Sequence, residues 1–274
     1  MTDTAIDWFG EEASSADAAR LAALYDLDAD SDAPSAGVDW FRGLARMSGG
    51  PVLELGVGTG RVAVPIAKDG HEVVGIDRSE AMLARAEERA RKRGVRLRLL
   101  ESDMRTFSLE QAFMLVTIPF NTFLMLTPDD QWACLARVRE HLAPGGRLAI
   151  DIFQPNPNMI AGRDNDVREE WTRRDPDNGR MVTKFSSTRA DVDKSTFRWW
   201  YDELDDAGVV HRWQREATLH FIYRREAELL MSDAGYDIET LHGDYDGSPP
   251  SSASPKILIV ARRRERGSGR ERRR

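Results

Sequence analysis

The chain has 274 residues, of which 41% are hydrophobic, and a formal net charge of -7. This allows one large domain or a domain with a subdomain, and no apolar run approaches the roughly 20 residues that span a bilayer. The single cysteine, Cys134, excludes an internal disulfide. Together with an acidic N-terminus that lacks a signal-peptide pattern, it predicts a cytoplasmic protein.

Helices and strands are predicted to alternate up to residue 154. Helical spacing occurs over 13–27 and 39–47, and further helices follow Gly60, Ser79 and Thr127. The predicted strands cover 51–55, 72–77, 95–100, 113–119, 147–153, 236–241 and 256–261. This alternation predicts an α/β fold, a Rossmann-like seven-stranded, mostly parallel sheet with helices on both faces.

Residues 155–223 break this rhythm. Two alternating segments, 195–204 and 211–223, flank a turn at 205–208 and predict an antiparallel hairpin. We therefore expect an inserted antiparallel β-subdomain over 155–223, within a main domain formed by 35–154 and 224–262. A helical lid is expected over 1–34, and the arginine-rich tail over 263–274 is predicted to be disordered.

The segment from Val52 to Arg61 carries the strongest functional signal. A buried-strand pattern ends in three alternate glycines, which let a ligand approach the backbone, and the following helix start offers unbonded N–H groups. The dinucleotide fingerprint G-x-G-x-x-G would place its third glycine at the position of Arg61. Asp77, at the end of the second strand, is placed to bind ribose hydroxyls. Asp103, after the third strand, is placed to accept a proton from an adenine amino group.

With these motifs in this order, the chain resembles the class I S-adenosylmethionine-dependent methyltransferases. The resemblance also rests on Gly75-Ile-Asp-Arg-Ser79, Ser102-Asp-Met104 and Leu142-Ala-Pro-Gly-Gly-Arg-Leu148. It covers 35–155 well and 224–262 more loosely, and it places the seventh strand antiparallel beside the sixth. It implies S-adenosylmethionine as the cofactor, S-adenosylhomocysteine as its product, and no metal. The cofactor-binding residues that it implies are Glu54, Gly56, Gly58, Gly60, Asp77, Arg78, Met82, Asp103, Met104 and Ile118.

Three residues are candidates for catalysis. Tyr25 resembles the N-terminal lid tyrosine of small-molecule N-methyltransferases, although it also fits an ordinary amphipathic helix. Asn121 follows the fourth strand, where the family places the transferred methyl group. Its amide oxygen would orient the nucleophile, or the residue would cap a turn. His220 is a candidate base because imidazole titrates near neutral pH, or it is a hydrogen-bonded strand residue.

The predicted function is in-line methyl transfer to a nitrogen or oxygen of a small-molecule acceptor. The alternatives are an RNA methyltransferase that uses the basic tail, a non-catalytic S-adenosylmethionine-binding protein, and a nicotinamide oxidoreductase. The chain lacks the Asn/Asp-Pro-Pro-Tyr/Phe motif of many base methyltransferases, and its acidic body repels a phosphate backbone. A nucleic-acid or membrane partner is therefore not expected, and a homodimer stays open.

Overall fold

The computed structural model describes residues 15–29, 35–156 and 165–265. The helices in these ranges are α1 (Ser15–Ala29), α2 (Ala36–Ser48), α3 (Ala63–Lys68), α4 (Glu80–Lys92), α5 (Pro128–His141) and α6 (Arg224–Asp233). A 3-10 turn covers Thr122–Met125. The strands of the main sheet are β1 (Val52–Leu55), β2 (Val73–Asp77), β3 (Arg98–Glu101), β4 (Phe113–Ile118), β5 (Leu142–Phe153), β10 (Tyr236–His242) and β11 (Lys256–Arg263).

The main sheet has the strand order β10-β11-β5-β4-β1-β2-β3. Its neighbours from β5 to β3 are parallel, whereas β11 is antiparallel to both β5 and β10. The predicted fold class is therefore confirmed, including an antiparallel strand inserted beside the sixth strand of the sheet. Because β1, β2 and β4 are parallel, their carboxyl ends lie at the same edge of the sheet. The strand order reverses between β4 and β1, so this edge includes the switch point of the sheet. Ligands bind at such an edge in open α/β sheets.

Both faces of the main sheet are buried. All four residues of β1 are buried, which is typical of a central parallel strand covered by helices on both sides. Two helices begin at the residues from which the sequence predicts them to start. The Ser79 hydroxyl accepts a hydrogen bond from the Met82 N–H at 3.3 Å, and the Thr127 hydroxyl accepts one from the Asp130 N–H at 3.3 Å. These caps fix where α4 and α5 begin relative to the edge of the sheet.

A second sheet contains four antiparallel strands in sequence order: β6 (Arg168–Arg174), β7 (Met181–Ala190), β8 (Lys194–Leu204) and β9 (Val210–His220). We call it sheet B. The predicted hairpin is present as β8 and β9, but sequence analysis missed β6 and β7. Most residues of β6 are exposed, and β7 is mainly half-buried, so neither strand shows an apolar stripe of period two.

Several boundaries differ from the sequence prediction. The predicted strand over 95–100 begins only at Arg98, because the Val95 N–H bonds to the Ala90 carbonyl oxygen and extends the end of α4. β5 begins at Leu142, which pairs with Phe113 before the glycine turn. The first predicted helix is α1, and residues 13–14 of the prediction lie outside the described residues.

The predicted lid and the predicted tail at the two chain ends are only partly described by the structure. β11 continues to Arg263, so the first residue of the predicted basic tail pairs with Tyr236 of β10. The structure does not describe residues 266–274 of the tail. Residues 1–14 and 30–34 of the predicted lid also lie outside the described residues. Within the described part of the chain, no helix combines the length and the apolar character that crossing a membrane would require.

Candidate active site

Two of the three glycines in the turn after β1 permit close packing, each against a different part of the chain. Gly56, Gly58 and Gly60 all have positive φ, at 67°, 53° and 77°. A Cβ atom on Gly56 would lie 2.6 Å from the Thr122 methyl carbon, so this glycine lets the segment after β4 approach the turn. Gly60 does not line the site. A Cβ there would lie 3.1 Å from Cγ2 of Val64 and 3.3 Å from the Cβ of Ala86, so Gly60 permits close packing against α3 and α4.

A cavity opens above this turn, between α1, the carboxyl ends of β1, β2 and β4, and the segment that follows β4. It brings together residues from five separate parts of the chain. Its lining residues are Tyr25, Glu54, Gly56, Val57, Gly58, Thr59, Arg61, Val62, Asp77, Met82, Pro119, Phe120, Thr122 and Met125.

Asp77 is fixed at the edge of this cavity by the backbone. Its carboxylate accepts hydrogen bonds from the N–H groups of Gly58, at 2.8 Å, and Ser79, at 3.0 Å. Burial raises the pKa of this carboxyl, and the two backbone hydrogen bonds act in the opposite direction. Asp77 therefore lies directly beside the glycine turn and lines the cavity with it.

Three buried polar atoms that line the cavity have no hydrogen-bond partner among the described residues. They are Oε2 of Glu54, Oγ1 of Thr59 and Nε of Arg61. Glu54 is only 2% exposed, and its burial, followed by repulsion from Asp77, raises the pKa of its carboxyl well above the ordinary value. Buried polar groups in proteins normally have partners, so three such atoms around one cavity indicate a polar ligand.

Arg61 extends across the cavity wall. Its guanidinium carbon lies 4.6 Å from the centroid of the Phe120 ring, in cation–π geometry. Phe120 has a φ of 53°, which is uncommon for a bulky residue. Among the described residues that line this cavity, Arg61 is the only one with a cationic side chain. Its charge also lowers the pKa of Tyr25, although less than burial raises it.

Tyr25 lies in α1 and lines the cavity from above. Burial raises the pKa of its hydroxyl to about 12, so the group stays protonated at neutral pH. Ion pairs from neighbouring residues of α1 hold the helix over the site. Asp26 pairs with Arg85 at 2.6 Å and with Arg89 at 2.7 Å, both in α4. On the other side, Asp28 pairs with Lys184 of sheet B at 2.6 Å.

Three of the predicted cofactor-binding residues, Asp103, Arg78 and Met104, lie beside the cavity rather than in its lining. The Asp103 carboxylate accepts hydrogen bonds from Nε of Arg105, at 2.9 Å and 3.0 Å, and from its backbone N–H at 2.8 Å. Arg78 lies 3.6 Å from the same carboxylate. The Met104 methyl carbon lies 3.4 Å from the position that a Cβ of Gly56 would occupy, so Met104 adjoins the turn.

Three predicted site residues have a different environment from the one expected. Ile118 is fully buried in the main hydrophobic core, and its side chain does not reach the cavity. The Asn121 amide oxygen accepts a hydrogen bond from the Phe153 N–H at 2.7 Å, so the turn already uses the oxygen that was expected to orient a nucleophile. His220 is half-buried on β9 and does not line the cavity. Its pKa is lowered by burial and by Lys194, while Asp193 and Asp130 act in the opposite direction.

Several residues of the cavity were not predicted from the sequence. Thr59 is the variable residue between two glycines of the motif, and Thr122 and Met125 come from a 3-10 turn without a recognisable sequence signal. A larger hollow lies between α1, α4 and the β6–β7 turn, but its charged side chains are largely paired with one another. The cavity at the glycine turn is therefore the stronger candidate for the active site.

Comparison with known proteins agrees with this geometry. Residues 52–146 match a family model described as a methyltransferase domain. The chain is 28% identical over 241 residues to the cypemycin N-terminal methyltransferase of a Streptomyces species, covering 87% of this chain and 94% of that protein.

Two solved structures are also similar. An S-adenosylmethionine-dependent methyltransferase from Clostridium acetobutylicum has a TM-score of 0.76 at 17% identity, covering 90% of this chain and 98% of that one, and it shows the fold. An S-adenosylmethionine-bound amino pentose methyltransferase from Micromonospora echinaspora, involved in calicheamicin biosynthesis, has a TM-score of 0.65 at 25% identity. It covers 87% of this chain and 95% of its own.

Proposed function

Because the chain belongs to the class I S-adenosylmethionine-dependent methyltransferases, we propose that it methylates an amino group of a small-molecule acceptor. The observation that carries this proposal is the cavity at the glycine turn, where three buried polar atoms of lining residues have no hydrogen-bond partner in the described ranges. The related proteins named as an N-terminal methyltransferase and an amino pentose methyltransferase favour nitrogen over oxygen as the acceptor atom.

The residues present fit the cofactor. Asp77 would bind the ribose hydroxyls, since its carboxylate is already held at the carboxyl end of β2 by two backbone hydrogen bonds. Met82 is buried beside it and lines the same cavity. Asp103, Met104 and Arg78 would hold the adenine, and for Asp103 this requires sharing its carboxylate with Arg105.

Charge matching assigns the amino-acid end of the cofactor. Its ammonium group needs an acceptor, and Glu54 supplies a buried carboxylate oxygen that has no hydrogen-bond partner within the described part of the chain. Its α-carboxylate needs a cation, and Arg61 is the only cationic side chain among the described residues lining the cavity. A guanidinium matches a carboxylate with two parallel N–H donors. Thr59 offers a further buried hydroxyl next to these groups.

When bound, the cofactor supplies an electrophilic methyl group on a sulfonium. The protein then has to position the acceptor and exclude water. α1 covers the cavity, and Tyr25 presents a hydroxyl that remains a hydrogen-bond donor at neutral pH. We assign Tyr25 to positioning the acceptor rather than to removing its proton. His220 does not line the cavity, so we do not assign it as the base. The acceptor would enter as the neutral amine, or its ammonium form would lose a proton to water.

The domain roles follow from these positions. In our proposal, α1 is the lid, and sheet B supplies the acceptor side of the site, because β9 contacts the 3-10 turn whose Thr122 and Met125 line the cavity. The ion pairs of Asp26 and Asp28 then set the height of the lid over the cofactor.

The experiment is a transfer assay with isotopically labelled S-adenosylmethionine and matched acceptors. Amino sugars and short peptides with an unblocked N-terminus are compared with their N-acetylated forms, which keep every hydroxyl but lose the nucleophilic amine. We expect label in the amines alone. Cofactor binding without transfer to any acceptor, or equal labelling of the acetylated forms, would contradict the proposal.

A further inference from the structure

One face of sheet B is turned towards α1 and the active site. We call it the inner face. Strand alternation and register place Tyr201, Trp199, Trp213 and Arg215 on it, with Trp199 directly opposite Arg215 on β8 and β9. Leu24 of α1 packs on Tyr201, and the Tyr201 hydroxyl donates a 3.2 Å hydrogen bond to Asp28 of α1. The inner face therefore continues the wall that α1 begins.

Arg215 is a charged residue beside the tryptophans of the inner face, and unlike Lys184, which pairs with Asp28, it forms no ion pair within the part of the chain that the structure describes. It is half-buried, and its Nε and Nη2 atoms are buried without a hydrogen-bond acceptor among the described residues. Asp17 of α1 is near enough to influence the guanidinium, but burial has the larger effect and lowers the pKa of Arg215. Burying two guanidinium nitrogen atoms without hydrogen-bond acceptors is costly, unless an anionic group accepts from them when a ligand binds.

The position of Arg215 relates it to the methyl-transfer site. Tyr201 is close enough to Tyr25 for the two hydroxyls to interact electrostatically, and Trp199 donates a hydrogen bond to Tyr201. Arg215 is a diagonal neighbour of Tyr201 across the β8–β9 pair, a separation of about 7–8 Å. Arg215 therefore lies on the inner face beside Tyr201, whose hydroxyl interacts with that of Tyr25 in the cavity lining.

We propose that Arg215 binds an anionic group, a carboxylate or a phosphate, carried by the acceptor on the side remote from the amine. This inference rests on the proposed function and narrows the substrate class to amines that bear a negative charge. Arg215 is then a specificity-determining residue, because an acceptor without the anion leaves its guanidinium buried and unpaired.

The first test measures binding and does not depend on turnover. The protein is saturated with S-adenosylhomocysteine and titrated with inorganic pyrophosphate or succinate by calorimetry. The variants are Arg215→Gln, Arg215→Lys and, as a matched control, Arg212→Gln. Arg212 lies on the same strand but on the opposite face, where it pairs with Asp202 at 2.6 Å. Thermal unfolding of each variant checks that it folds.

We expect Arg215→Gln to weaken binding of at least one anion about tenfold or more, with partial recovery in Arg215→Lys and no change in Arg212→Gln. Binding of pyrophosphate alone would indicate a phosphate group, and binding of succinate alone a carboxylate. The proposal is wrong if the wild type binds neither anion, or if Arg215→Gln and Arg212→Gln bind equally well.

The second test uses transfer. Peptides are compared with their C-terminal amides, and amino sugars with their phosphorylated forms. For the acceptor type that is methylated, we expect the wild type to prefer the anionic member, and Arg215→Gln to lose this preference through a raised KM with little change in kcat. A preference that survives in Arg215→Gln would overturn the assignment while leaving methyl transfer itself intact.

Discussion

The backbone N–H of Gly58 donates a 2.8 Å hydrogen bond to the carboxylate of Asp77. This bond joins the turn after β1 to the end of β2, so the two parts of the proposed cofactor site are held together by the protein alone. Asp77 is therefore positioned in advance, and binding does not have to order it.

Replacement of Asp77 by alanine tests its proposed contact with ribose. We expect Asp77→Ala to weaken S-adenosylhomocysteine binding by about 1.5–3 kcal/mol, the range for a hydrogen bond to a charged group. Isothermal titration measures this change. The control is Glu101→Ala, which removes an exposed carboxylate from the residue that pairs with Asp77 on β3. Equal affinities for Asp77→Ala and the wild type would remove Asp77 from the ribose site.

The glycine turn offers a second comparison, in which each variant is the control for the other. Gly56→Ala and Gly60→Ala both place a side chain at positive φ, which costs about 1–2 kcal/mol. We expect both variants to lose stability in thermal unfolding, and Gly56→Ala to lose more, because its Cβ would lie 2.6 Å from the Thr122 methyl carbon. Only Gly56→Ala should also weaken S-adenosylhomocysteine binding, by roughly tenfold or more, because its Cβ would crowd Thr122 at the cavity wall.

A different outcome for this pair would change the assignment of the turn. If Gly60→Ala weakened cofactor binding as much as Gly56→Ala, Gly60 would have to act on the ligand rather than on the packing of α4.

Glu54 provides a pH-dependent signature. Burial raises its pKa in the folded protein above the ordinary value of 4.5, so the folded state binds a proton more tightly than the unfolded state. The folded state without ligand is then progressively destabilised as the pH rises from 4.5 towards the raised pKa. We expect Glu54→Gln to flatten the dependence of unfolding free energy on pH over this interval, as measured by denaturant titration at a series of pH values.

Cofactor binding should reverse this effect, since an ammonium group beside Glu54 favours the ionised carboxylate. Binding of S-adenosylhomocysteine at a pH below the raised pKa should therefore release a proton in the wild type and less in Glu54→Gln. Calorimetry in buffers with different ionisation enthalpies measures the release. Equal proton release in the two proteins would place the ammonium group elsewhere.

The extent to which sequence predicts this site depends on how local each signal is. Gly56, Gly58 and Asp77 follow from strand ends and a glycine spacing that parallel sheets bring to one edge. The ion pair of Asp103 was not predicted, although its partner Arg105 is only two residues away in the sequence. Local motifs predict position better than they predict which partner a charged group has.

Other parts of the site depend on tertiary contacts that have no local signal. Asn121 is the residue expected at the end of β4, but its amide oxygen bonds to Phe153, which is on a neighbouring strand. Arg61 makes a cation–π contact with the ring of Phe120, which lies far away in the chain. The strands β6 and β7 were missed because neither has an apolar stripe of period two, and the bonds of Trp171 and Lys184 to Asp28 of α1 have no local signal.

Arg61 can be tested with two ligands that differ in the amino-acid end. S-adenosylhomocysteine carries the α-carboxylate, and 5′-methylthioadenosine lacks the whole amino-acid group. We expect Arg61→Ala to weaken binding of the first by about tenfold or more, and to leave the second within about threefold of wild type. Arg46→Ala is the control, because Arg46 is exposed on α2 and pairs with Asp69.

The two ligands separate a specific contact from a structural defect. If Arg61→Ala weakened both ligands equally, the arginine would support the cavity through Phe120 instead of binding the carboxylate. That result would leave the cofactor assignment intact and return Arg61 to a packing role.

The last prediction concerns Tyr25, whose hydroxyl lines the cavity from α1. Because its pKa is raised to about 12, the hydroxyl donates hydrogen bonds throughout the neutral range and does not act as a base there. Tyr25→Phe removes one neutral hydrogen bond, which corresponds to about 0.5–1.5 kcal/mol. We therefore expect kcat/KM for the acceptor to fall about two- to tenfold, while the Kd of S-adenosylhomocysteine stays unchanged.

The matched control for this variant is Tyr223→Phe, which changes an exposed tyrosine at the start of α6. Steady-state kinetics with the acceptor found in the transfer assay, together with calorimetry for the cofactor product, give the two quantities. Wild-type kinetics in Tyr25→Phe would mean that the ring only packs under the lid. A loss of cofactor affinity equal to the loss of kcat/KM would mean that Tyr25 contacts the cofactor, whereas a residue that positions the acceptor lowers kcat/KM and leaves the affinity of the adenosyl ligand unchanged.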